Sequence, residues 1–337
     1  MTEKEETQRL WELCFNENDD DVAFTKLYFS ERYSDKVNIT SSCDGKIVSA
    51  MQLLPYPMTF GGQTIPTSYI SGACTDPEYR RKGLMAELIA KALRRMKQEG
   101  IYVSTLIPAS DALFLFYEKS QFTTVFYKRE QIIPLNKLPL KEEIIVTPFR
   151  KGEHDVYPYF VRKMQQRDNC VQHMPEDFRV ILKDMNLFED TLYVARLDND
   201  IVGLAFSYPI GDRLYIRDVL TEFPFIEETL IAVAARDAHA KKIIVTYPPD
   251  GSKSDEPHGM ARIVSLEALL NVYAQAHSSL TDSFKVTDPI IPENSGTYII
   301  DKGKVEKNDS LSAPQIGLEQ LTRNLLEPSY MSLMLDS

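Results

Sequence analysis

Apolar and polar residues alternate along the chain with two periods, and together they predict a mixed α/β fold. The clearest helix is predicted over residues 83–97, because its apolar residues recur every three or four positions and fall on one face. Gly100 follows at a position that suits a helix C-cap. Strands are predicted at 38–43 and 47–54, joined by Asp44-Gly45, a dipeptide typical of tight hairpin turns.

The first 135 residues have the order helices, hairpin, strand, helix, strand and short helix. Two helices are predicted over 10–15 and 24–33, before the hairpin. Later elements are a strand at 68–75, the helix over 83–97, a strand at 101–107, a short helix from 110 or 111 to 119, and a strand from 122. Proline, lysine and leucine are then concentrated at 134–141, which indicates a linker.

Two further regions follow this linker. The second has predicted helices over 156–166 and 225–239, and strands at 192–196, 201–208, 214–220 and 242–247. After a polar break from 248 to about 259, the third has helices over 265–276 and 316–326, and strands at 284–288 and 296–301. These breaks predict three domains, at 1–135, 136–252 and 253–337.

Composition and charge narrow the class of protein. Of 337 residues, 43% are hydrophobic, which is typical of a globular chain and excludes disorder. The 38 basic and 49 acidic residues give a net charge of −11, which disfavours binding to nucleic acids or anionic membranes. The chain has no apolar run long enough for a membrane span, and residues 1–6 lack the apolar character of a secretory signal. We therefore expect a soluble, cytoplasmic protein.

The cysteines and histidines form no familiar catalytic or metal-binding motif. The four cysteines stand far apart, without Cys-x-x-Cys, so we expect neither a zinc site nor a disulfide framework. The sequence contains no His-Glu-x-x-His, Gly-x-Ser-x-Gly or Gly-Lys-Ser/Thr. Metalloproteases, hydrolase-fold esterases and P-loop enzymes are therefore disfavoured, and no metal cofactor is expected.

The segment 69–86, YISGACTDPEYRRKGLMA, carries the clearest chemical signal. A predicted strand ends in a tight turn, a basic run Arg80-Arg81-Lys82 follows, and the long helix begins directly after Gly83. Unpaired backbone N–H groups and the helix dipole at such a start attract anions, and glycine lets a phosphate approach the backbone. The segment therefore predicts a phosphate site, with a solvated basic turn as the alternative.

This segment resembles the acetyl-CoA-binding signature of the GNAT acyltransferases, Arg/Gln-x-x-Gly-x-Gly/Ala, read here from Arg80 to Met85. Met85 stands where the family has a small residue. Residues 116–122, FYEKSQF, resemble the family's Tyr-x-x-x-Gly-Phe element, with Gln121 in the glycine position. The order of predicted elements is also similar to the family, so the resemblance implies a GNAT domain at 1–135.

The whole layout is similar to the enhanced-intracellular-survival (Eis) family of N-acetyltransferases, although outside the first domain the likeness rests on element order alone. It implies an α+β protein with tandem GNAT folds and a small sterol-carrier-protein-like α/β domain. The second GNAT-like domain, at 136–252, lacks the Arg-x-x-Gly-x-Gly run and is degenerate. The third, at 253–337, corresponds to the sterol-carrier-protein-like unit.

The resemblance assigns cofactor contacts to two stretches. Backbone groups of Ala73, Cys74 and Thr75 would pair with the pantetheine arm of acetyl-CoA, and one N–H would polarise the thioester carbonyl. A plain buried thiol is preferred for Cys74 over a nucleophile. Ser110 is either a helix N-cap or a cofactor contact. The pyrophosphate would be held by Arg81, Lys82, Gly83, Leu84, Met85 and Ala86.

Two residues are candidates for proton transfer. Tyr117, in the FYEKSQF element, stays protonated near neutral pH and would act as the general acid for the departing thiolate, with a half-buried structural aromatic as the alternative. By the resemblance to Eis, the carboxylate of Ser337 would enter the active site as a base. The apolar tail at 330–337 favours docking of this end, and a frayed terminus is the alternative.

These observations predict an acetyl-CoA-dependent N-acetyltransferase that works through a ternary complex without a covalent intermediate. The expected acceptor is a small-molecule or exposed primary amine, more often cationic given the acidic chain, and a homo-oligomer is compatible with the sequence. One alternative is a regulatory module that binds acyl-CoA without turnover, which Met85 and Gln121 favour. The other is a structural or lipid-binding protein that acts through the C-terminal domain.

Overall fold

The computed structural model describes residues 1–135, 138 and 143–335. Its described helices are α1 (Glu3–Phe15), α2 (Asp19–Glu31), α3 (Leu84–Gln98), α4 (Asp111–Glu118), α5 (Val156–Gln165), α6 (Pro175–Leu187), α7 (Pro224–Asp237), α8 (Leu266–Ala276) and α9 (Leu318–Leu326). Its described strands are β1 (Asn38–Cys43), β2 (Lys46–Pro55), β3 (Met58–Phe60), β4 (Gln63–Ile65), β5 (Thr67–Thr75), β6 (Val103–Leu106), β7 (Thr123–Ile133), β8 (Ile145–Pro148), β9 (Thr191–Leu197), β10 (Asp200–Ile210), β11 (Arg213–Thr221), β12 (Lys242–Tyr247), β13 (Glu256–Ile263), β14 (Thr281–Val286), β15 (Gly296–Asp301) and β16 (Lys304–Lys307). The predicted mixed α/β class is confirmed.

The elements that determine the candidate site form where the sequence predicts them. Helix α3 matches the helix predicted over 83–97, and β1 and β2 pair as the predicted antiparallel hairpin around Asp44-Gly45. Helix α1 begins after Thr2, whose side chain accepts a hydrogen bond from the Glu5 N–H while Glu5 bonds back to Thr2. The predictions of α3 and of the β1–β2 hairpin are confirmed, whereas α1 begins at Glu3, seven residues before the predicted start at residue 10.

Other elements are specified by distant partners. Helix α6 was not predicted, and β13 lies partly within residues 248–259, which were predicted as a polar break. Residues 260–263 of β13 pair antiparallel with 103–106 of β6, so this strand is formed by a partner far away in the sequence. Of the predicted linker at 134–141, residues 136, 137 and 139–141 lie outside the described residues.

The first compact unit contains residues 1–126 and 258–328. Its main sheet has the strand order β1-β2-β5-β6-β13, in which β5 and β6 are parallel and the other pairs are antiparallel. Helix α3 packs against this sheet through a buried apolar face that includes Leu88, Leu93 and Met96. A small sheet, β14-β15-β16, and helices α8 and α9 also belong to this unit.

The second compact unit contains residues 127–257 and 329–335. Its sheet has the order β7-β12-β11-β10-β9-β8, with β11 and β12 as the parallel pair. Aromatic side chains fill its core: the rings of Phe160 and Phe178 lie 4.8 Å apart, and that of Phe160 lies 5.8 Å from Phe206. The division of the chain into three domains stays a prediction, because residues 258–328 pack in the same compact unit as 1–126.

The last described residues are part of the core of the second unit. The Tyr330 N–H donates to the Asn169 carbonyl at 2.8 Å, and the Val171 N–H donates to the Tyr330 carbonyl at 3.0 Å. The Ser332 hydroxyl donates to the buried Asp218 carboxylate at 2.6 Å. The tail is therefore docked over its described residues, whereas Asp336 and Ser337 lie outside them.

The parallel strands β5 and β6 are paired over only part of the length of β5. The two strands are paired only from Thr67 to Tyr69, opposite 103–105, although β5 continues to Thr75. From residue 70 to Thr75, β5 is not paired with β6. Among the described residues, no helix is long and apolar enough to cross a membrane.

Candidate active site

A cavity of about 520 Å³ lies at the end of β5 that is not paired with β6, in the size range of small-molecule sites. The end of β5, the turn after it, the first turn of α3, helix α4 and the end of α1 all contribute to its wall. The lining residues are Cys14, Phe15, Ala73, Cys74, Thr75, Tyr79, Arg80, Arg81, Gly83, Leu84, Met85, Ala86, Ser110, Leu113, Phe116 and Tyr117.

Strand β5 carries a β-bulge directly before its pocket-lining residues. Ala50 of β2 pairs with Cys74 and Gln52 pairs with Ser71, so Met51 alone lies opposite Gly72 and Ala73. Gly72 has φ +57°, and a Cβ built on it would lie 1.7 Å from Cζ2 of Trp11. Glycine is therefore required here both for the backbone conformation and for the close approach of α1.

The turn after β5 is held by its own polar groups. The buried Asp76 accepts a hydrogen bond from the Glu78 N–H at 3.1 Å and an ion pair from Lys46 at 2.8 Å, and it caps a 3₁₀ turn at Pro77–Tyr79. The Lys46 hydrogen bond holds the pKa of the Asp76 carboxyl below its usual value. Arg80 Nε then donates to the Thr75 carbonyl at 3.0 Å, so its guanidinium turns back towards the strand end.

Helix α3 begins with exposed donors at the pocket. Its N-cap is Gly83, with φ +84°, which supplies no side chain to cap the N–H groups of the first turn. A Cβ on Gly83 would meet nothing within 4 Å, so the space beside this backbone is open. The positive end of the helix dipole and the exposed Arg80 and Arg81 side chains lie together here. This arrangement suits a phosphate group.

Tyr117, on α4, is 7% exposed and reaches the pocket from the apolar core of the unit. Its ring packs edge-on against Phe116 and Phe122, with centroids 5.3 and 5.8 Å away. The turn that follows α4 contains Gln121 at φ +63°, a conformation that glycine adopts at no cost. Gln121 therefore stands at the glycine position of the FYEKSQF element and adopts a backbone conformation typical of glycine.

A buried arginine from β13 supports this turn. Arg262 and Asp288 form an ion pair at 2.7 Å in which both side chains are 0% exposed. Arg262 also donates to the Ser120 carbonyl at 2.9 Å and to the Gln121 side chain at 3.3 Å. Because these contacts come from residues 258–328, that segment helps to position the helix end that carries Tyr117.

Two thiols and a guanidinium meet at one side of the pocket. Cys14 Sγ lies 3.5 Å from the Thr75 carbonyl oxygen and 3.9 Å from Nη2 of Arg80. A hydrogen bond from the Cys74 thiol, and then the Arg80 guanidinium, lower the pKa of Cys14 to about 7 despite its partial burial. The hydrogen bond with Cys14 and burial raise the pKa of Cys74 well above its usual value. Cys14 is therefore the better thiolate of the pair.

The pocket brings together most of the residues that the sequence singled out. Ala73, Cys74 and Thr75 line it, as do Arg81, Gly83, Leu84, Met85, Ala86, Ser110 and Tyr117. Ser110 occupies the N-cap position of α4 but makes no side-chain capping bond there. Lys82 is not among the lining residues, and its ammonium lies 4.5 Å from the centroid of the Tyr79 ring. Ser337 lies outside the described residues.

Sequence reasoning missed the contribution of α1 to this pocket. Cys14 and Phe15 line it, together with Tyr79, Leu113 and Phe116, none of which was proposed as a site residue. Helical periodicity placed a helix near residues 10–15, but periodicity does not show which strand end the helix meets. The nearest signal was Gly72, whose lack of a side chain allows Trp11 to approach.

Comparisons with known proteins agree with this geometry. Residues 1–125 match the family model described as an acetyltransferase (GNAT) domain. A GCN5-related N-acetyltransferase from Anabaena variabilis is 18% identical with a TM-score of 0.76, covering 95% of this chain and 86% of that one. A protein of unknown function from Enterococcus faecalis, a probable N-acyltransferase, is 16% identical with a TM-score of 0.78 and the same coverages, 95% and 86%.

Eis1 from Mycobacterium abscessus is 13% identical with a TM-score of 0.69, covering 91% of this chain and 86% of that one. No protein with a curated description matches the sequence. At such low identities the solved structures establish the fold alone. The first 125 residues therefore form a GNAT acetyltransferase domain, and the chain as a whole shares the fold of these larger GNAT proteins.

Proposed function

We propose that the chain is an acetyl-CoA-dependent N-acetyltransferase that transfers the acetyl group directly to a primary amine in a ternary complex. The observation that carries this proposal is the pocket at the end of β5 that is not paired with β6, which combines this strand end, the start of α3 and a buried tyrosine. When bound, acetyl-CoA supplies an acetyl group that its thioester activates for attack by an amine.

The residues around the pocket suit such a substrate. At residues 73–75, β5 is not paired with β6, and its main-chain groups, apart from the Thr75 carbonyl that Arg80 and Cys14 engage, suit an extended, amide-containing chain. The first-turn N–H groups of α3, with Arg80 and Arg81, suit the pyrophosphate. Gly83 leaves open space for it, and Met85 forms part of the wall without filling this space.

Tyr117 is proposed as the general acid. A tyrosine hydroxyl is ordinarily protonated at neutral pH, so this residue type can protonate the sulfur that departs as a thiolate. Its ring is held by Phe116, Phe122 and the core behind them. The Arg262 network fixes the turn after α4, so the tyrosine is presented on a rigid support.

The acceptor is proposed to be a small-molecule or exposed primary amine, with cationic amines favoured by the net charge of −11. Its ammonium form must lose a proton before attack, which requires a base. By the resemblance to Eis, we propose the carboxylate of Ser337 for that role.

The test measures thiol release from acetyl-CoA with a panel of primary amines, for the wild-type protein and Tyr117→Phe. We expect the variant to lower kcat by about 10²- to 10⁴-fold, the usual contribution of a positioned acid, and to change acetyl-CoA affinity less than twofold. Tyr273→Phe is the matched control, because its ring stacks on Phe60 outside the pocket.

Two results would decide against parts of this proposal. Equal turnover by the wild type and Tyr117→Phe would remove Tyr117 from the mechanism. Binding of acetyl-CoA without thiol release for any amine in the panel would instead support a regulatory module that binds acyl-CoA without turnover.

A further inference from the structure

The pocket contains a reactive group that the proposed transfer reaction does not use. Of the cysteines, Cys74 and Cys170 are buried, whereas Cys14 and Cys43 are partly exposed. Cys14 lines the pocket, whereas Cys43 lies at the end of β1 and does not. Cys14 is therefore the one partly exposed cysteine among the residues that line this pocket, and any reagent that enters the pocket meets its sulfur.

The surroundings of Cys14 are built to hold a thiolate. The Thr75 carbonyl accepts from Arg80 Nε at 3.0 Å, which fixes the guanidinium beside the strand end. Another nitrogen of the same guanidinium, Nη2, lies 3.9 Å from Cys14 Sγ. The Cys74 thiol also favours the ionised form of Cys14, whose protonated thiol donates to the Thr75 carbonyl oxygen at 3.5 Å. A positive charge and a second donor therefore converge on one sulfur.

These same groups favour anionic reagents. Arg80 and Arg81 line the pocket together with the start of α3, so a negatively charged molecule is attracted towards Cys14. Thiolates next to arginine are more populated at neutral pH and react faster with disulfides. The hydrogen bond from Cys74 and the charge of Arg80 lower the pKa of Cys14 to about 7, although burial and the charge of Asp76 act to raise it.

We infer that Cys14 is a site of reversible thiol modification that takes anionic disulfides of low-molecular-weight thiols, and that the adduct occupies the pocket. The Cys14 thiolate attacks one sulfur of the disulfide RS–SR, a Cys14–S–S–R bond forms, and the S–S bond of the reagent breaks. The leaving RS⁻ takes up the proton that Cys14 lost, so the products are the mixed disulfide and one RSH. An adduct in the pocket would displace acetyl-CoA, and this consequence rests on the proposed function.

The reactivity is tested with two disulfides of opposite charge on the native, reduced protein. The probes are the dianionic 5,5′-dithiobis(2-nitrobenzoate) and the dicationic cystamine, with the proteins wild type, Cys14→Ser, Cys43→Ser and Arg80→Gln. Wild type and Cys43→Ser should show one fast phase with the anionic probe, and Cys14→Ser should lack it. Arg80→Gln should slow this phase about tenfold or more, and should slow the reaction with cystamine less.

The rate of the fast phase should rise with pH through a midpoint near 7 in the wild type, because only the thiolate attacks. In Arg80→Gln and in Cys74→Ala, which remove the two stabilising groups, the midpoint should move to higher pH. Persistence of the fast phase in Cys14→Ser, or equal rates and midpoints in wild type and Arg80→Gln, would overturn the inference.

Occupation of the pocket is tested separately by acetyl-CoA titration before and after treatment with the anionic probe. Treatment should abolish binding by the wild type, and dithiothreitol should restore it, whereas Cys14→Ser should titrate identically before and after treatment. Unchanged binding by fully modified wild type overturns the claim of occupation. If the untreated wild type does not bind acetyl-CoA, the proposed function fails. The rates of reaction with the two disulfides then still decide whether Cys14 is reactive.

Discussion

Each compact unit contains a pair of parallel strands, and in each unit a helix follows the first strand of the pair: α3 follows β5, and α7 follows β11. The connection between this strand and this helix, here called the junction, has opposite chemistry in the two units. In the first unit, β5 is separated from α3 by residues 76–83, which include three basic residues and end in Gly83. In the second, β11 is separated from α7 only by Glu222 and Phe223, and Pro224 opens the helix. The first junction presents backbone donors and the exposed Arg81 to the pocket, and the second has an acidic residue and a proline.

The second junction is also closed by its own side chains. The Tyr247 hydroxyl, at the end of β12, donates to Glu227 in the first turn of α7 at 2.5 Å. From α5, Arg162 and Lys163 bind Glu222 at 2.7 and 3.6 Å. The groups at this strand end are therefore engaged within the protein.

The same topology thus does not produce the same site. An open anion-binding junction needs a connection long enough to turn, a residue without a side chain at the helix start, and no internal partner for the first-turn donors. Substitutions in the first unit and in the second should therefore differ in their effects, from the largest at Gly72 to the smallest at Tyr247.

The largest expected effect comes from filling the bulge at Gly72. In Gly72→Ala the new Cβ would lie 1.7 Å from the Trp11 ring, so α1 must move away from β5. We expect a loss of stability of about 3 kcal/mol or more, measured by denaturant unfolding, because overpacking and backbone strain act together. The matched control is Gly45→Ala, which has a similar positive φ of +77° but no atom within 4 Å of its Cβ. Equal losses in the two variants would mean that the contact with Trp11 is unimportant.

A smaller effect is expected at the basic turn of the first junction. Arg81→Gly removes the guanidinium and suits the backbone, since Arg81 has φ +63°. We expect acetyl-CoA to bind about tenfold more weakly, which corresponds to about 1.4 kcal/mol, as measured by calorimetry. Lys82→Ala is the comparison, because Lys82 lies over Tyr79 and outside the pocket lining, and should change the affinity less than twofold. A larger loss of acetyl-CoA affinity in Lys82→Ala than in Arg81→Gly would indicate that Lys82, and not Arg81, binds the phosphates.

The smallest effect is expected at the second junction. Tyr247→Phe leaves the partly buried Glu227 without its hydrogen bond, at a cost of about 1 kcal/mol of stability. Acetyl-CoA affinity should stay the same, because this unit contributes none of the residues that line the pocket. A weaker acetyl-CoA affinity in Tyr247→Phe would contradict the assignment of binding to the first unit.

These comparisons also show what the sequence could predict. The strand, basic turn and helix at 69–97 are specified by neighbouring residues, so the prediction of this region and of its pocket-lining residues needed no structure. The left-handed turn at Gln121 was harder to predict, because a glutamine gives no sequence signal for this conformation. The turn is supported by Arg262 from β13.

The contribution of Cys14 and the strand β13 were missed for the same reason. Each depends on contacts between residues far apart in the sequence: Cys14 with Thr75 and Arg80, and β13 with β6. Periodicity identifies an element and its buried face, but it does not identify the partner that the element meets. For the second region the sequence shows only the lack of the Arg-x-x-Gly-x-Gly run, and the hydrogen bond between Tyr247 and Glu227 required the structure.

The most direct test of the central claim, that the open junction of the first unit binds acetyl-CoA, is calorimetric titration of the wild-type protein with acetyl-CoA. We predict saturable binding of one acetyl-CoA per chain, with a Kd in the micromolar to millimolar range, weakened by Arg81→Gly and unchanged by Tyr247→Phe. The absence of any binding heat at millimolar acetyl-CoA, together with no thiol release, would contradict the account.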